Sequence, residues 1–324
     1  MWNSSMKILI VTPAPPGSRK GNRISAVKWQ RMLRKLGHRV TLTQTYRDEQ
    51  PDVLIALHAR RGARSIRRFA DEYPDRPLML ALTGTDLYDD IRRSSTAARS
   101  LELANFLIVF HEHARSDLPT RLQSKAHVVY QSATAPKSIP APLKRVFEVT
   151  VMGHLRSVKD PFRAALAARS LPTASCIQIA HYGSPLSPAF AKRAEAEMQR
   201  NPRYRWFGDV PHATAKQRLA RSRLLVISSR IEGSANVLSE ALVSAVPVLA
   251  TRIPGNIGLL GHDYPGYFDV GDTRTLTSLL TRCEQDSGFY ETLKRSCHGR
   301  RRLVSEANEV QGWKQLLARI VERV

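Results

Sequence analysis

Glu232 and Glu240 stand eight residues apart in the stretch SSRIEGSANVLSEALVSAVPVLAT, and Gly233 follows the first of them. The apolar run 224–227 has the length of a buried strand, and a second such run restarts at Pro247. Between them Val237, Leu238, Ala241, Leu242 and Ala245 recur at helical spacing, with an apolar side to pack on a sheet. Strand, turn, helix, strand is the order of a parallel α/β unit. Ser234 or Asn236 is placed to cap the helix, which would leave free N–H groups and a positive dipole end beside Gly233. A helix mouth of that kind binds phosphate. Glu240, further along the helix, is within reach of whatever carries the phosphate. A carboxylate accepts two hydroxyl hydrogen bonds at once, and a ribose offers a vicinal pair. The same two glutamates would also suit a solvated helix face, and spacing alone favours that reading.

The elements that must position these groups follow from the apolar runs. Residues 7–12 read as the first buried strand and run into a loop, 13–23, with two glycines and three basic residues, containing Gly17, Arg19, Lys20, Asn22 and Arg23. A helix is expected over 24–36, closing at Gly37. Strands are expected at 39–43, 53–57, 78–82, 106–110 and 128–130, with a helix at 64–72. The strand 53–57 delivers His58, Arg60 and Arg61 to its carboxyl end, where open parallel sheets bind their ligands, and 78–82 delivers Thr83-Gly84-Thr85-Asp86. The run 132–143, rich in Pro, Ala and Ser, reads as a linker. A second set of strands is expected at 147–152, 176–180, 204–207, 224–227 and 248–250, and residues from Asp272 onward are mostly helical. The expected division is a first domain over 1–135, a linker over 136–146 and a second domain over 147–324.

The chain has 324 residues, enough for two domains with proper cores, and its 42% hydrophobic and 24% charged content is that of a soluble globular protein. No apolar run is long enough to cross a membrane. The N-terminus lacks a signal-peptide layout, and residues 1–5 read as a short disordered lead-in. Cys176, Cys283 and Cys297 are scattered with no C-x-x-C, which points to a reducing cytoplasm and no structural zinc. The formal net charge of +22 raises nucleic acid as a partner. Against that, the arginines are spread over many predicted helix faces, and aromatics at 7% give no base-stacking platform. The charge then acts as a field that attracts small anions. No D-x-D follows a strand, Asp89, Asp90 and Asp209 read as lone surface carboxylates, and His111 and His113 lack the i, i+4 spacing of a helical metal pair.

Glu232-Gly233, Glu240-Ala241 and Pro247-Val248 match at every position the nucleotide-sugar signature E-G-x-x-x-x-x-x-E-A-x-x-x-x-x-P-V. In this the chain resembles the retaining GT-B glycosyltransferases of the GT4-like group. The resemblance implies an α/β fold of the GT-B type, two Rossmann-like domains facing across a cleft, with the terminal helices returning to brace the first domain. It implies a UDP-sugar as co-substrate, no other cofactor and no metal. Gly153-His154-Leu155 with Lys159 resembles the group's G-R-L-x-x-x-K loop. His154 departs from the usual Arg, and Arg156 is the candidate to supply the missing cation. On this likeness Lys159, Arg156 and the N–H groups of Gly233, Ser234 and Ala235 hold the diphosphate, Glu240 takes the ribose, and Glu232 contacts the sugar. Asn236 belongs to the same helix mouth. Trp206-Phe207-Gly208-Asp209-Val210 resembles the F-x-G-x-V strand end near the nucleobase, making Gly208 and Val210 candidates there, and Ile253-Pro254-Gly255-Asn256 resembles the loop bordering the sugar or diphosphate.

Over nearly all of the chain from Met6 the pattern is more specific. MKILIVTPAPPGSRKGNRISA, ALHARR, ALTGTDLY, VMGHLRSVKDPFRAA and IPGNIGLLGHDYPGYFDVGD together resemble the selenosugar synthases of selenoneine biosynthesis. That likeness implies transfer of a sugar from UDP-N-acetylglucosamine or UDP-glucose to the selenium of selenophosphate. The basic residues Arg19, Lys20, Arg23, Arg60 and Arg61 suit an anionic acceptor. Selenium is already a strong nucleophile and needs no base to deprotonate it, so His58 and Asp86 are helpers rather than requirements. Two other readings stay open: a glycosyltransferase with a hydroxyl acceptor, and a polyanion binder motivated by charge.

Overall fold

The computed structural model describes residues 5–18 and 20–321, so the expectations for Arg19 and for residues 1–4 lie outside the described residues. The chain divides into two compact units, Met1–Gln131 with Ala307–Val324, and Ser132–Glu306.

In the first unit β1 (Lys7–Val11), β2 (Arg39–Thr43), β3 (Val53–Leu57), β4 (Leu78–Ala81), β5 (Phe106–Val109) and β6 (Ala126–Val128) form one parallel sheet, ordered β2-β1-β3-β4-β5-β6. The central strands β3, β4 and β5 are buried along their whole length, which is why they read as unbroken apolar runs. The helices are α1 (Gly21–Lys35), α2 (Ala63–Glu72), α3 (Ile91–Arg93), α4 (Ser95–Leu103) and α5 (His113–Ser116). Alternate residues of β1 feed two cores. Leu9 and Val11 pack with Ile66 and Phe69 of α2, and Ile8 and Ile10 pack with Trp29 and Leu33 of α1. The second core takes in Trp313, Leu316, Leu317 and Ile320 from the last helix, Glu306–Val321. Glu309 of that helix is buried. It accepts the Trp29 indole N–H at 2.8 Å and lies 2.9 Å from the Lys28 ammonium, so its charge is compensated.

One expectation is corrected here. The first helix begins at Gly21, not Ile24, so Asn22 and Arg23 stand in its first turn instead of the preceding loop. The apolar periodicity starts only at Ile24, but a first turn needs no buried face. The run 132–143, read as a linker, is irregular backbone that makes contacts with the second unit. Ala133 donates its N–H to the Val304 carbonyl at 3.0 Å, and Lys216 and Gln217 reach the hydroxyls of Thr134 and Ser138 at 3.0 and 3.3 Å. Its composition marks irregular backbone, not absence of contacts, and it belongs to the second unit.

That unit holds β7 (Phe147–Met152), β8 (Ile177–Tyr182), β9 (Tyr204–Trp206), β10 (Leu224–Ile227), β11 (Val248–Thr251) and β12 (Tyr267–Phe268), a parallel sheet ordered β12-β11-β10-β7-β8-β9. Its helices are α6 (Arg163–Ala168), α7 (Pro188–Arg200), α8 (His212–Arg221), α9 (Asn236–Val243), α10 (Pro254–Leu260), α11 (Thr273–Gln285) and α12 (Ser287–Arg300). Cys176, expected inside β8, lies just before it, its N–H held by Glu284 at 2.6 Å. Phe207, expected in β9, lies just beyond it and is exposed. Cys176 is exposed, whereas burial pushes the thiols of Cys283 and Cys297 up to about 12 and about 11. One thiol per folded chain should therefore react with an aromatic disulfide at pH 8, and all three after denaturation. Two or more reactive thiols in the folded protein would contradict this burial.

In an open parallel sheet, ligands bind outside the carboxyl ends of the strands where the strand order reverses. That point lies between β1 and β3 in the first sheet, and between β7 and β10 in the second.

Candidate active site

The loops that leave β7 and β10 at the second reversal carry Lys159 and Glu232. They are tied to each other. The Ser228 hydroxyl bonds the carbonyl oxygens of Lys159 and Asp160 at 3.1 and 2.9 Å, and the Arg230 N–H reaches the Val158 carbonyl at 2.8 Å. Glu232 is buried, and its Oε1 accepts from the Lys159 ammonium and from the Ser229 hydroxyl, the latter at 2.6 Å. The lysine and the first glutamate thus pair with each other. The Lys159 side chain keeps 21% of its surface exposed against 10% for Glu232, so the cation is the more open partner. Two glycines permit close backbone approach to these loops from α10 and from the turn after β8. A Cβ at Gly255 would lie 2.2 Å from the Glu232 carbonyl oxygen, and one at Gly183 would lie 1.9 Å from the Gly153 carbonyl oxygen. Neither position can carry a side chain without moving backbone.

The mouth of α9 is more open than the sequence suggested. Neither Ser234 nor Asn236 caps it: Ala235 occupies the N-cap, with extended dihedrals and no side-chain bond. A capping oxygen must sit on the residue just outside the helix. Ser234 comes one position too early and Asn236 is already helical. The Ser234 hydroxyl is buried with no partner among the described residues, and no acidic residue stands in the first turn. The uncapped N–H groups, an orphan hydroxyl and Gly233 make a donor set suited to an anion. The buried side of α9 is Leu238, Ser239, Ala241 and Leu242. Ala245, read as helical, follows the helix end at a φ of 55°.

Glu240 projects from α9 and accepts a hydrogen bond from His212 Nε2 at 2.7 Å. His212 opens α8, two residues after Val210, which is half-buried. Arg156 is half-buried and its guanidinium has no partner among the described residues, so it is available as a second cation. At the ends of β8 and β9, exposed Phe207 stacks on Tyr182 with centroids 4.9 Å apart and planes 13° from parallel.

Beneath this end of the sheet lies His181, buried, with Nδ1 2.9 Å from the Tyr204 hydroxyl. Burial lowers its pKa to about 4. Because the unfolded chain takes up the proton first, from near pH 6.5, stability is full above that value and falls as the pH drops toward 4. The loss is on the order of 3 kcal/mol. Hydrogen-exchange protection of β8 should weaken between pH 6.5 and 4.5, and unchanged protection would contradict the assignment.

The first unit holds the other candidates. Asp86 is fully buried, and its carboxylate accepts from the N–H groups of Ala59 at 3.1 Å and Thr83 at 2.7 Å. It clamps the loops after β3 and β4 together. His58 is buried with a φ of 76°, and burial lowers its pKa, opposed by the Asp86 charge. Its Nε2 lies 3.4 Å from the Thr85 hydroxyl and 3.7 Å from an Asp90 oxygen. Asp90 is therefore not the lone surface carboxylate expected. Its side chain is 13% exposed and also binds Arg60 at 3.1 Å, because a π-helical turn over Asp86–Asp90 swings it inward. Asp89 likewise pairs with Arg93 at 3.2 Å. Arg61 and Lys20 are exposed, and Gly17 supplies a positive φ of 76° in the β1–α1 loop. One guanidinium nitrogen of Arg23 is buried without a partner among the described residues. Among the described residues no three His, Cys, Asp or Glu side chains are grouped to share a metal ion, and no helix is long and apolar enough to cross a membrane.

Comparison with known proteins agrees with this geometry. The architecture, two parallel six-stranded sheets with their helices, is the GT-B fold. HepE of Anabaena, crystallised with UDP and glucose, superposes with a TM-score of 0.74 at 17% identity over 98% of this chain and 100% of its own. Sucrose-phosphate synthase of Thermosynechococcus elongatus gives 0.80 at 13% identity over 98% and 99%. At these identities the likeness is one of fold. Residues 137–296, which lie within the second unit, match the model of the glycosyl transferases group 1 family. Glycosyltransferase 1 domain-containing protein 1 of Xenopus tropicalis is 25% identical over 206 residues, 56% of this chain and 59% of that protein. The match thus spans less than two thirds of that relative.

Sequence reading did not find His212, Ser229 or the inward turn of Asp90. Nothing in the spacing ties residue 212 to 240. Ser229 and Asp90 acquire partners only through loop geometry.

Proposed function

We propose that the protein is a glycosyltransferase that binds a UDP-sugar on its second unit and transfers the sugar to an acceptor. The observation that carries the reading is the convergence of the Lys159 loop and the uncapped mouth of α9 at the carboxyl ends of β7 and β10. In the proposed mechanism, the diphosphate displaces Glu232 from Lys159 and takes up the ammonium, the free Arg156 guanidinium and the N–H groups from Gly233 to Ala235. Those preorganised donors stabilise charge as the bond from the anomeric carbon to UDP breaks. Glu232, released, contacts the sugar hydroxyls, and Glu240 takes the ribose.

For the acceptor we propose selenophosphate, on the strength of the sequence resemblance and of the basic residues of the first unit. Among the described residues, Lys20, Arg23 and Arg61 make no ion pair with a carboxylate. Its selenium attacks the anomeric carbon of UDP-N-acetylglucosamine or UDP-glucose, UDP leaves, and hydrolysis of the selenium–phosphorus bond gives the 1-seleno-sugar and phosphate. A second reading rests on His58. Its lowered pKa keeps the ring neutral and able to take a proton, which suits a hydroxyl acceptor.

The test is incubation with a panel of UDP-sugars, with and without selenophosphate, followed by mass spectrometry. A product with the selenium isotope pattern, formed only when selenophosphate is present, supports the first reading. UDP release that is indifferent to selenophosphate but stimulated by a polyol supports the second.

A further inference from the structure

The partner of Glu240 is a residue that no sequence motif singles out. His212 is the first residue of α8, Glu240 lies in the second turn of α9, and the 2.7 Å bond from Nε2 to Oε1 joins the two helices. The exposures are unequal: 54% of the His212 side chain is open, against 13% for Glu240. The imidazole makes no other bond to the described residues, and the second carboxylate oxygen of Glu240 accepts none. That oxygen is also not sealed inside the protein.

We infer that His212 is a positioning residue of the donor site, holding the Glu240 carboxylate so that a vicinal diol can bind it. The inference rests on the reading of Glu240 as the ribose contact. A carboxylate has about four lone-pair sites over its two oxygens. With one site on Oε1 taken by His212, one hydroxyl goes to Oε2 and the other to the remaining site of Oε1. A glutamate on a helix otherwise samples many rotamers, and binding would have to freeze them. The His212 N–H removes that freedom in advance. A pair as exposed as this one adds little to the stability of the fold, so its contribution lies in preorganisation of the site. Nε2 can donate this bond whether or not Nδ1 also carries a proton.

The test is calorimetric titration of the intact protein with UDP and with the 2′,3′-dideoxy analogue of UDP, on wild type, His212→Ala and His212→Gln. His212→Ala should weaken UDP by about 3- to 10-fold yet leave the dideoxy analogue within about 2-fold, since that ligand has no diol to receive. His212→Gln, whose amide can donate the same bond, should restore most of the UDP affinity. An unchanged UDP affinity in His212→Ala, or an equal loss for both ligands, overturns the inference while leaving the donor site standing. A wild-type protein that binds no UDP overturns both.

Discussion

Turnover of a UDP-sugar should fall about 100- to 1,000-fold in Lys159→Ala, which is the loss expected when one preorganised donor to a developing oxyanion is removed. UDP affinity should fall much less, because the leaving diphosphate carries more charge at the bridging oxygen in the transition state than in the bound donor. The effect has a structural component too. Without Lys159, Glu232 keeps the Ser229 hydroxyl as its partner and becomes an uncompensated, buried carboxylate. Lys159→Met with Glu232→Gln removes that complication, since a neutral amide replaces the orphaned charge. The double variant should fold as wild type and remain about 100-fold slow or worse. Turnover within a few-fold of wild type in either variant would show that the lysine is not a diphosphate ligand.

Glu240→Ala should act on binding. Hydrogen bonds to a charged acceptor contribute about 1.5–3 kcal/mol each, so UDP should bind roughly 10- to 100-fold more weakly. The rate at saturating donor should stay near wild type, because the ribose contact is the same in ground and transition states. The opposite split, an unchanged affinity with a reduced maximal rate, would place Glu240 at the sugar rather than the ribose. Lys159→Ala and Glu240→Ala are therefore distinguishable by which kinetic parameter each one moves.

Much of the fold was legible because its strands are buried on both faces. Residues 53–57, 147–152 and 224–227 were read with the bounds of β3, β7 and β10. β12 was missed because two residues, Tyr267–Phe268, are too short for any periodicity. The start of α1 was misread, and the contacts of 132–143 with the second unit were not foreseen. At α1 the first turn is ordered by local bonds, such as Arg23 N–H to the Lys20 carbonyl at 3.0 Å, and at 132–143 the chain is held by polar bonds to residues far along the sequence, and neither leaves an apolar signature. At the candidate site the residue types were legible and their partners were not. Lys159, Glu232 and Glu240 stand out by spacing, but the pairing of Lys159 with Glu232 depends on two loops separated by β8, β9 and β10. The choice of Ala235 over its polar neighbours as the N-cap depends on a single pair of dihedral angles.

Hydrogen–deuterium exchange with and without UDP tests the central claim most directly, because it locates the ligand without presupposing the acceptor. Saturating UDP should slow exchange in two segments of the second unit, 153–160 and 228–240, and at a UDP concentration near the wild-type Kd that slowing should be much smaller in Glu240→Ala. Exchange in those segments that is unaffected by UDP, or protection confined to other parts of the chain, would contradict a nucleotide site at the mouth of α9.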